Sequence, residues 1–162
     1  MQVWCDLRTT PSIEELHPVF DSKLTVNGEQ FSLNGNAISY DSELVGELVA
    51  IRDSNSYNQA RSRIGLVKWL VVELTDWKMV PIENLIAECE DSGTMLGVIV
   101  NHTEDVNGIA FALERGADAI IIKPEDSLIE VCMIAKSLRL ENQSKSNAVP
   151  IEANDSIKLT KG

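Results

Sequence analysis

No stretch of this sequence is apolar for the roughly 20 residues that a membrane-crossing helix needs. Its opening, MQVWCDLRTT, has neither a basic n-region nor a long apolar segment, so no signal peptide is read there. The early Asp6 also disfavours a retained organellar transit peptide. Positive charge is scarce: 14 Lys and Arg stand against 25 Asp and Glu, a formal net charge of −11. A surface this acidic repels phosphate backbones and argues against nucleic-acid binding, while leaving room for a small anion in a locally positive pocket.

Cysteine is sparse and odd in number. Cys5, Cys89 and Cys132 are widely spaced and read as reduced core thiols of an intracellular protein rather than as a disulfide or zinc framework. The N-x-S/T matches at Asn101 and Asn142 then carry little weight as glycosylation sites. Also missing are a G-x-G-x-x-G after a strand, a Walker loop, HExxH, CxxC and G-x-S-x-G. No metal site is read, and any dinucleotide must bind without the usual glycine fingerprint.

What is present is enough apolar sequence for a real core. A chain of 162 residues, 44% of them apolar, can bury about 70% of its unfolded surface. The segment QVWCDL reads as a short strand and PSIEELHPVF as a helical turn or two limited by Pro18. Between residues 23 and 43 two Asn-Gly pairs sit among alternating apolar residues, which predicts a small β-hairpin or ribbon. After residue 46 the pattern changes. Four apolar runs, ELVAIRD, VKWLVVEL, MLGVIVN and DAIIIK, alternate with helical segments. The first helix carries Ser54 as a candidate N-cap and Gly65 as a stop. The second has Pro81 in its first turn and a stripe of Ile82, Leu85, Ile86 and Cys89. The third ends at Gly116, and the fourth is a long amphipathic helix.

The runs are rich in Val, Ile and Leu without clean alternation, as expected of strands buried on both faces of a parallel sheet. The fold class is therefore α/β: repeated βα units on a mainly parallel sheet, either a partial barrel or open, plus the N-terminal hairpin region. One domain is expected, with residues 1–45 as its strand, short helix and hairpin segment and 46–140 as the βα core. Residues 141–162 read as a polar linker and the start of a following region.

In parallel α/β sheets ligands bind beyond the carboxyl ends of the strands. Those ends carry Arg52-Asp53, then Glu73 with Thr75, Asp76 and Trp77, then Asn101-His102, then Lys123-Pro124. Acids at a strand exit need not be buried unpaired. Each residue also has a structural reading. Glu83 suits the positive end of a helix, Asp76 and Asn101 suit N-caps, His102 suits the surface and Trp77 suits packing. Lys123 is either an ordinary strand-end lysine or a group for imine or acid–base chemistry.

The stretch LVVELTDWKMVPIENLIAE resembles the signature of the type II 3-dehydroquinate synthases, with Asp76, Trp77, Pro81, Glu83, Asn84, Leu85, Ile86 and Ala87 as its core. The likeness continues through GVIVNHTEDVNGIAFALERGADAIIIKPED, and MQVWCDL resembles the first strand of the family. The 23–40 segment is more like the plant and algal branch. The resemblance implies an NAD-dependent oxidative deamination and cyclisation of 2-amino-3,7-dideoxy-D-threo-hept-6-ulosonate to 3-dehydroquinate, an entry to aromatic amino-acid biosynthesis. It implies Asp76, Glu83 and Lys123 as catalytic groups and Arg52, Glu73, Asn84 and Asn101 as substrate-binding ones. NAD is the implied cofactor, with no site assigned. Family members run about twice this length, so the chain reads as an N-terminal half, either self-associating or completed by a C-terminal half. A cytoplasmic location is expected, or a plastid one in a photosynthetic eukaryote. Two alternatives stand beside this reading: a 3-amino-4-hydroxybenzoate synthase-like cyclase, and a non-catalytic pseudo-receiver. In the latter ALERGADAIIIKP would be the closing helix–strand–Lys-Pro passage, with Glu73 at the acceptor position.

Overall fold

A computed structural model describes residues 1–10, 13–75 and 79–157, with side chains left out for 79–81 and 145–157. Eight strands run in sequence order around a closed barrel: β1 (Gln2–Asp6), β2 (Ser22–Thr25), β3 (Phe31–Asn34), β4 (Ala37–Tyr40), β5 (Glu43–Ile51), β6 (Trp69–Leu74), β7 (Met95–Ile99) and β8 (Ala119–Ile122). Four helices accompany the last four strands: α1 (Ser54–Arg63), α2 (Met79–Cys89), α3 (Val106–Phe111) and α4 (Asp126–Ile157).

The sheet is mainly parallel, as expected, and it is closed. The closing seam is the parallel pairing of β1 with β8, Gln2 opposite Ala119 through Cys5 opposite Ile122. Among the eight strands β4 alone runs antiparallel to its neighbours. The hairpin expectation holds for β3 and β4, which turn at Asn34-Gly35 with Gly35 at φ 63°. The other Asn-Gly pair, Asn27-Gly28, makes no hairpin, because β2 and β3 are parallel. There Gln30 reaches back to accept hydrogen bonds from Ser22 Oγ (2.6 Å) and the Lys23 amide (3.1 Å), folding the loop over β2. The ribbon is thus part of the barrel wall. The sequential order β5-β6-β7-β8 also differs from the 2-1-3-4-5 order of receiver-type sheets, which sets the pseudo-receiver alternative aside.

Three local expectations are corrected. Residues 13–20 are turns rather than helix. Pro18 has no amide to donate, and His17 Nδ1 accepts from the Val19 amide at 3.0 Å. The third helix stops at Phe111, because Leu113 and Glu114 take left-handed backbone (φ 54° and 60°) before Gly116. The fourth continues as helix through 141–157, where a linker was read. Glu141, Gln143, Lys145 and Ala148 cost little in helical form, whereas Pro150, inside the same stretch, lacks the amide that a helix interior uses.

Alternation along each strand sorts the core into two layers. Outward residues Val3, Val49, Ile51, Leu70, Val72, Leu96, Val98, Ile120 and Ile122 pack under α2, α3 and α4, against Ile82, Leu85, Ile86, Ile109 and Leu128. Inward residues Trp4, Leu24, Ile38, Leu48, Trp69, Val71, Ile99, Ala119 and Ile121 fill the barrel. The interior is therefore a plug of side chains and not a pore.

Of the two strand glycines, Gly46 makes the closer backbone approach, opposite Trp69, where an added Cβ would lie 2.3 Å from the Trp69 carbonyl oxygen. The clash is with backbone, so no rotamer relieves it. Gly46→Ala should lower stability by about 3 kcal/mol in denaturant unfolding. A strand glycine under no such constraint would gain about 0.5–1 kcal/mol from the same change.

Candidate functional site

Seven parallel strands end at one mouth of the barrel, and the side chains on their inward parity decide what that mouth offers. In β1, Trp4 points inward, so Asp6 does too, and it is 3% exposed. In β6, Trp69 and Val71 point inward, which puts Glu73 on the same side. The same alternation carries Leu48 by way of Ala50 to Arg52, Ile99 to Asn101 and Ile121 to Lys123.

A carboxylate inside a barrel needs a cation. Arg8, two residues beyond Asp6, turns back and provides it. Its Nε donates to Asp6 Oδ1 and its Nη2 to Asp6 Oδ2, both at 2.9 Å, a bidentate pair. The Arg8 backbone amide also donates to Asp6 Oδ1 at 3.1 Å. The guanidinium then reaches across the mouth to β6, where Nη1 and Nη2 lie 3.3 and 3.4 Å from the Glu73 carboxylate oxygens. Hydrogen bonding to Asp6, and secondarily to Glu73, raises the Arg8 pKa against the opposing effect of burial. The triad therefore carries one net negative charge. Its two halves differ: the Asp6 pair is short and buried, while the Glu73 pair is long and open to solvent.

The other expected residues fall as follows. Arg52 leaves β5 exposed, its amide donating to Ser56 Oγ (2.8 Å). That serine belongs to a reciprocal cap in which Asp53 Oδ1 accepts from the Ser56 amide at 2.9 Å. Asp53, rather than Ser54, is thus the N-cap of α1, and these bonds hold its carboxyl below the usual range. Asn101 is exposed just beyond β7, and Lys123 is half-buried just beyond β8. Among the described residues neither side chain makes a hydrogen bond or ion pair, so Asn101 does not cap the turn that follows it. His102 is exposed beside it. On α2, Ile82, Leu85, Ile86 and Cys89 are buried, Glu83 flanks that stripe half-buried, and Asn84 lies on the solvent face. Asp76 and Trp77 lie outside the described residues. The mouth therefore brings together Glu73, Asn101 and Lys123, with Arg52 at its edge, and leaves Asn84 away from it.

Asp6 and Arg8 are the site residues that sequence reasoning overlooked. The signal was available: β1 ends in Asp6-Leu7-Arg8 at the same rim as the other strands.

The three cysteines are buried free thiols. Burial pushes Cys5, Cys89 and Cys132 each up to about 11, with Asp6 adding to the effect at Cys5. None supplies a thiolate nucleophile near neutral pH. Among the described residues no group of His, Cys, Asp and Glu could hold a metal ion, and no helix is long and apolar enough to cross a membrane.

Residues 3–136 match the family described as 3-dehydroquinate synthase II N-terminal domain. Curated relatives carry the name 3-dehydroquinate synthase. One from Methanococcus maripaludis strain C5 is 27% identical over 114 residues, covering 65% of this chain and 31% of the relative. One from strain C7 of that species is 25% identical over 146 residues, 85% of this chain and 40% of the relative. One from Methanocella arvoryzae is 37% identical over 73 residues, 44% of this chain and 20% of the relative. The matched region of this chain thus spans well under half the length of these relatives. No solved structure matches it.

Two predictions follow from this geometry. Asp6→Asn should cost about 2–4 kcal/mol in unfolding free energy, because it strips a buried bidentate partner from Arg8. Glu73→Gln should cost under about 1 kcal/mol, as expected of a long, partly solvated pair. Equal losses would show that the two carboxylates are equivalent. In the native protein at pH 8, a disulfide reagent should label none of the three thiols quickly, and all three after denaturation.

Proposed function

We propose a function on one premise: this chain belongs to the 3-dehydroquinate synthase II family. The reading is that the C-terminal mouth of the barrel binds an amino-ketose acid and takes part in its oxidative deamination and cyclisation to 3-dehydroquinate. The observation that carries it is the charge arrangement at the mouth. A triad with a surplus negative charge and a loosely held carboxylate, Glu73, stands at the same rim as a lysine and an asparagine that have no partner among the described residues.

Such a mouth suits a substrate bearing both an ammonium and a carboxylate. Glu73 receives the ammonium, exchanging its long contacts to Arg8 for a shorter charge-assisted one. Arg8 stays charged and in place because Asp6 holds it. Lys123 and Asn101 receive the carboxylate and hydroxyl end, with Arg52 contributing positive potential at the edge. Deamination and ring closure both move protons on and off nitrogen and carbon, and carboxylates near the amine suit that work. Glu73 is the nearest such group to the bound amine. Asp76, in the segment between β6 and α2, and Glu83 on the flank of α2 are the further candidates. Asn84, on the outer face of α2, is left out of the assignment.

Nicotinamide dinucleotide, which would accept the hydride, does not fit the residues described here. The loops after β5, β7 and β8 contain no glycine that would let a backbone approach a pyrophosphate. No step is therefore routed through it, and its binding is assigned to sequence that the longer relatives possess.

The test is isothermal titration of the aminoheptulosonate into this chain, with its deamino analogue as control. NADH and ammonia release are then measured with a full-length family member carrying the same substitutions. Glu73→Gln should weaken aminoheptulosonate binding about 10–100-fold, the loss expected for a hydrogen bond between charged groups. It should leave the analogue unaffected. Equal effects on both ligands would sink the assignment of Glu73 to the amine.

A further inference from the structure

A second cavity lies at the opposite mouth, where the parallel strands begin. It encloses about 540 Å³, within the range of about 300–1,000 Å³ usual for small-molecule sites. Its walls include the rings of Phe31, Tyr40 and Trp69 and the charged side chains of Lys68, Asp41 and Glu43. The rings form one cluster. Phe31 meets Tyr40 edge-on at 4.8 Å and Trp69 at 5.9 Å, and its other side stacks on Trp4 at 3.9 Å. Packing from the barrel interior therefore holds the aromatic wall in place.

Some polar groups of this cavity are engaged, Asp21 with Lys136, Ser22 with Gln30 and Gln2 with Trp4, and others are not. Lys68, Asp41 and Glu43 form no ion pair with one another or with any other described residue, although they line one space. Among the described residues the indole N–H of Trp69 has no acceptor, yet no buried side-chain polar atom there lacks a partner. That N–H is therefore open to the cavity that Trp69 lines. The nearby Trp4 indole is different, donating to Gln2 Oε1 at 2.7 Å.

The turn that carries the acids points the same way. Asp41 and Ser42 both hold left-handed backbone, φ 53° and 67°. The two-residue hairpin geometry between Tyr40 and Glu43 explains those angles, and Asn-Gly would adopt them at lower cost. This chain instead places a carboxylate there, at the lip of the cavity.

We propose that the N-terminal mouth of the barrel is a second binding site, for a small zwitterion with a planar apolar body, an aromatic amino acid being the simplest. Its ammonium is received by Asp41 and Glu43, where the negative faces of the rings add to the attraction. Its carboxylate is received by Lys68 and the Trp69 N–H. Its ring enters the Phe31–Tyr40 wall in offset or edge-on contact. Neither a simple cation nor a simple anion satisfies both sets of groups. The filled barrel separates this site from the opposite mouth, so it does not depend on the function proposed above.

The test is titration of L-phenylalanine into this chain, followed by calorimetry and by amide NMR shifts of residues 40–46 and 68–70. Phenethylamine and phenylacetate serve as single-charge controls. Saturable binding is expected, at least about tenfold tighter for phenylalanine than for either control. Lys68→Met should remove the advantage over phenethylamine, and Glu43→Gln should reduce the advantage over phenylacetate. Both positions are exposed, so neither variant threatens the fold. Glu73→Gln, at the far mouth, should change nothing. Equal affinity for phenylalanine and phenethylamine would overturn the proposal, as would the absence of saturation up to about 10 mM phenylalanine.

Discussion

The pair between Asp6 and Arg8 governs this structure more than any other polar contact. Asp6 sits on the inward parity of the strand that closes the barrel, where a bare carboxylate would be costly. Two residues later the chain supplies its cation, and the bidentate geometry leaves that cation little freedom. Because Arg8 also spans to Glu73, it ties the β1 seam to β6 across the mouth. The seam needs such support. β1 and β8 are more than a hundred residues apart in sequence, so their pairing is entropically among the most expensive in the molecule.

Closure of the barrel also gives its two ends different chemistry. The interior is filled by Trp4, Leu24, Leu48, Val71, Ile99 and Ile121, so nothing passes from one end to the other. At the strand ends, residues at inward positions emerge from the core one after another, and polar or charged groups can be placed there without burial. At the strand starts the inward positions carry rings, and charge comes from the turn between β4 and β5. The aromatic-walled cavity lies at the second end and the triad at the first. A mouth partly occupied by an arginine and two carboxylates leaves less empty space than one walled by rings.

The parts of the fold legible in the sequence are those where one physical signal dominates. From β5 to β8, apolar runs alternate with amphipathic helices, and each strand appears where the run does. Glu73, Asn101 and Lys123 lie at or just beyond the ends of β6, β7 and β8, where the apolar runs placed them. The region from β2 to β4 was read less well. Its strands are four residues long, its two Asn-Gly pairs look alike, and only the second closes a hairpin. What distinguishes them is Gln30, a side chain that pins the first loop over β2 and so makes β3 parallel. A contact between Gln30 and residues 22 and 23 has no periodicity to betray it. Arg8 was missed for a related reason. The rule about strand ends was applied to the regular units and not to the isolated first strand, whose partner, β8, is the last. Asn84 was carried by its place in a motif, and motif membership does not say which side of a helix a residue faces. On α2 the buried stripe of Ile82, Leu85, Ile86 and Cys89 leaves Glu83 at the flank and Asn84 outside.

The inequality within the triad is its most consequential feature. Were Arg8 shared evenly, a ligand amine approaching either carboxylate would have to break a bond as strong as the one it made. The distances are uneven, 2.9 Å to Asp6 against 3.3 and 3.4 Å to Glu73. Glu73 can therefore turn to an incoming ammonium while Arg8 remains fully compensated by Asp6. In the proposed binding mode one cation faces two anions before the ammonium arrives, and two cations face two anions after it, so binding neutralises the triad. A buried ion pair is a weak source of stability. Its value here is that one half is fixed, which frees the other half to respond.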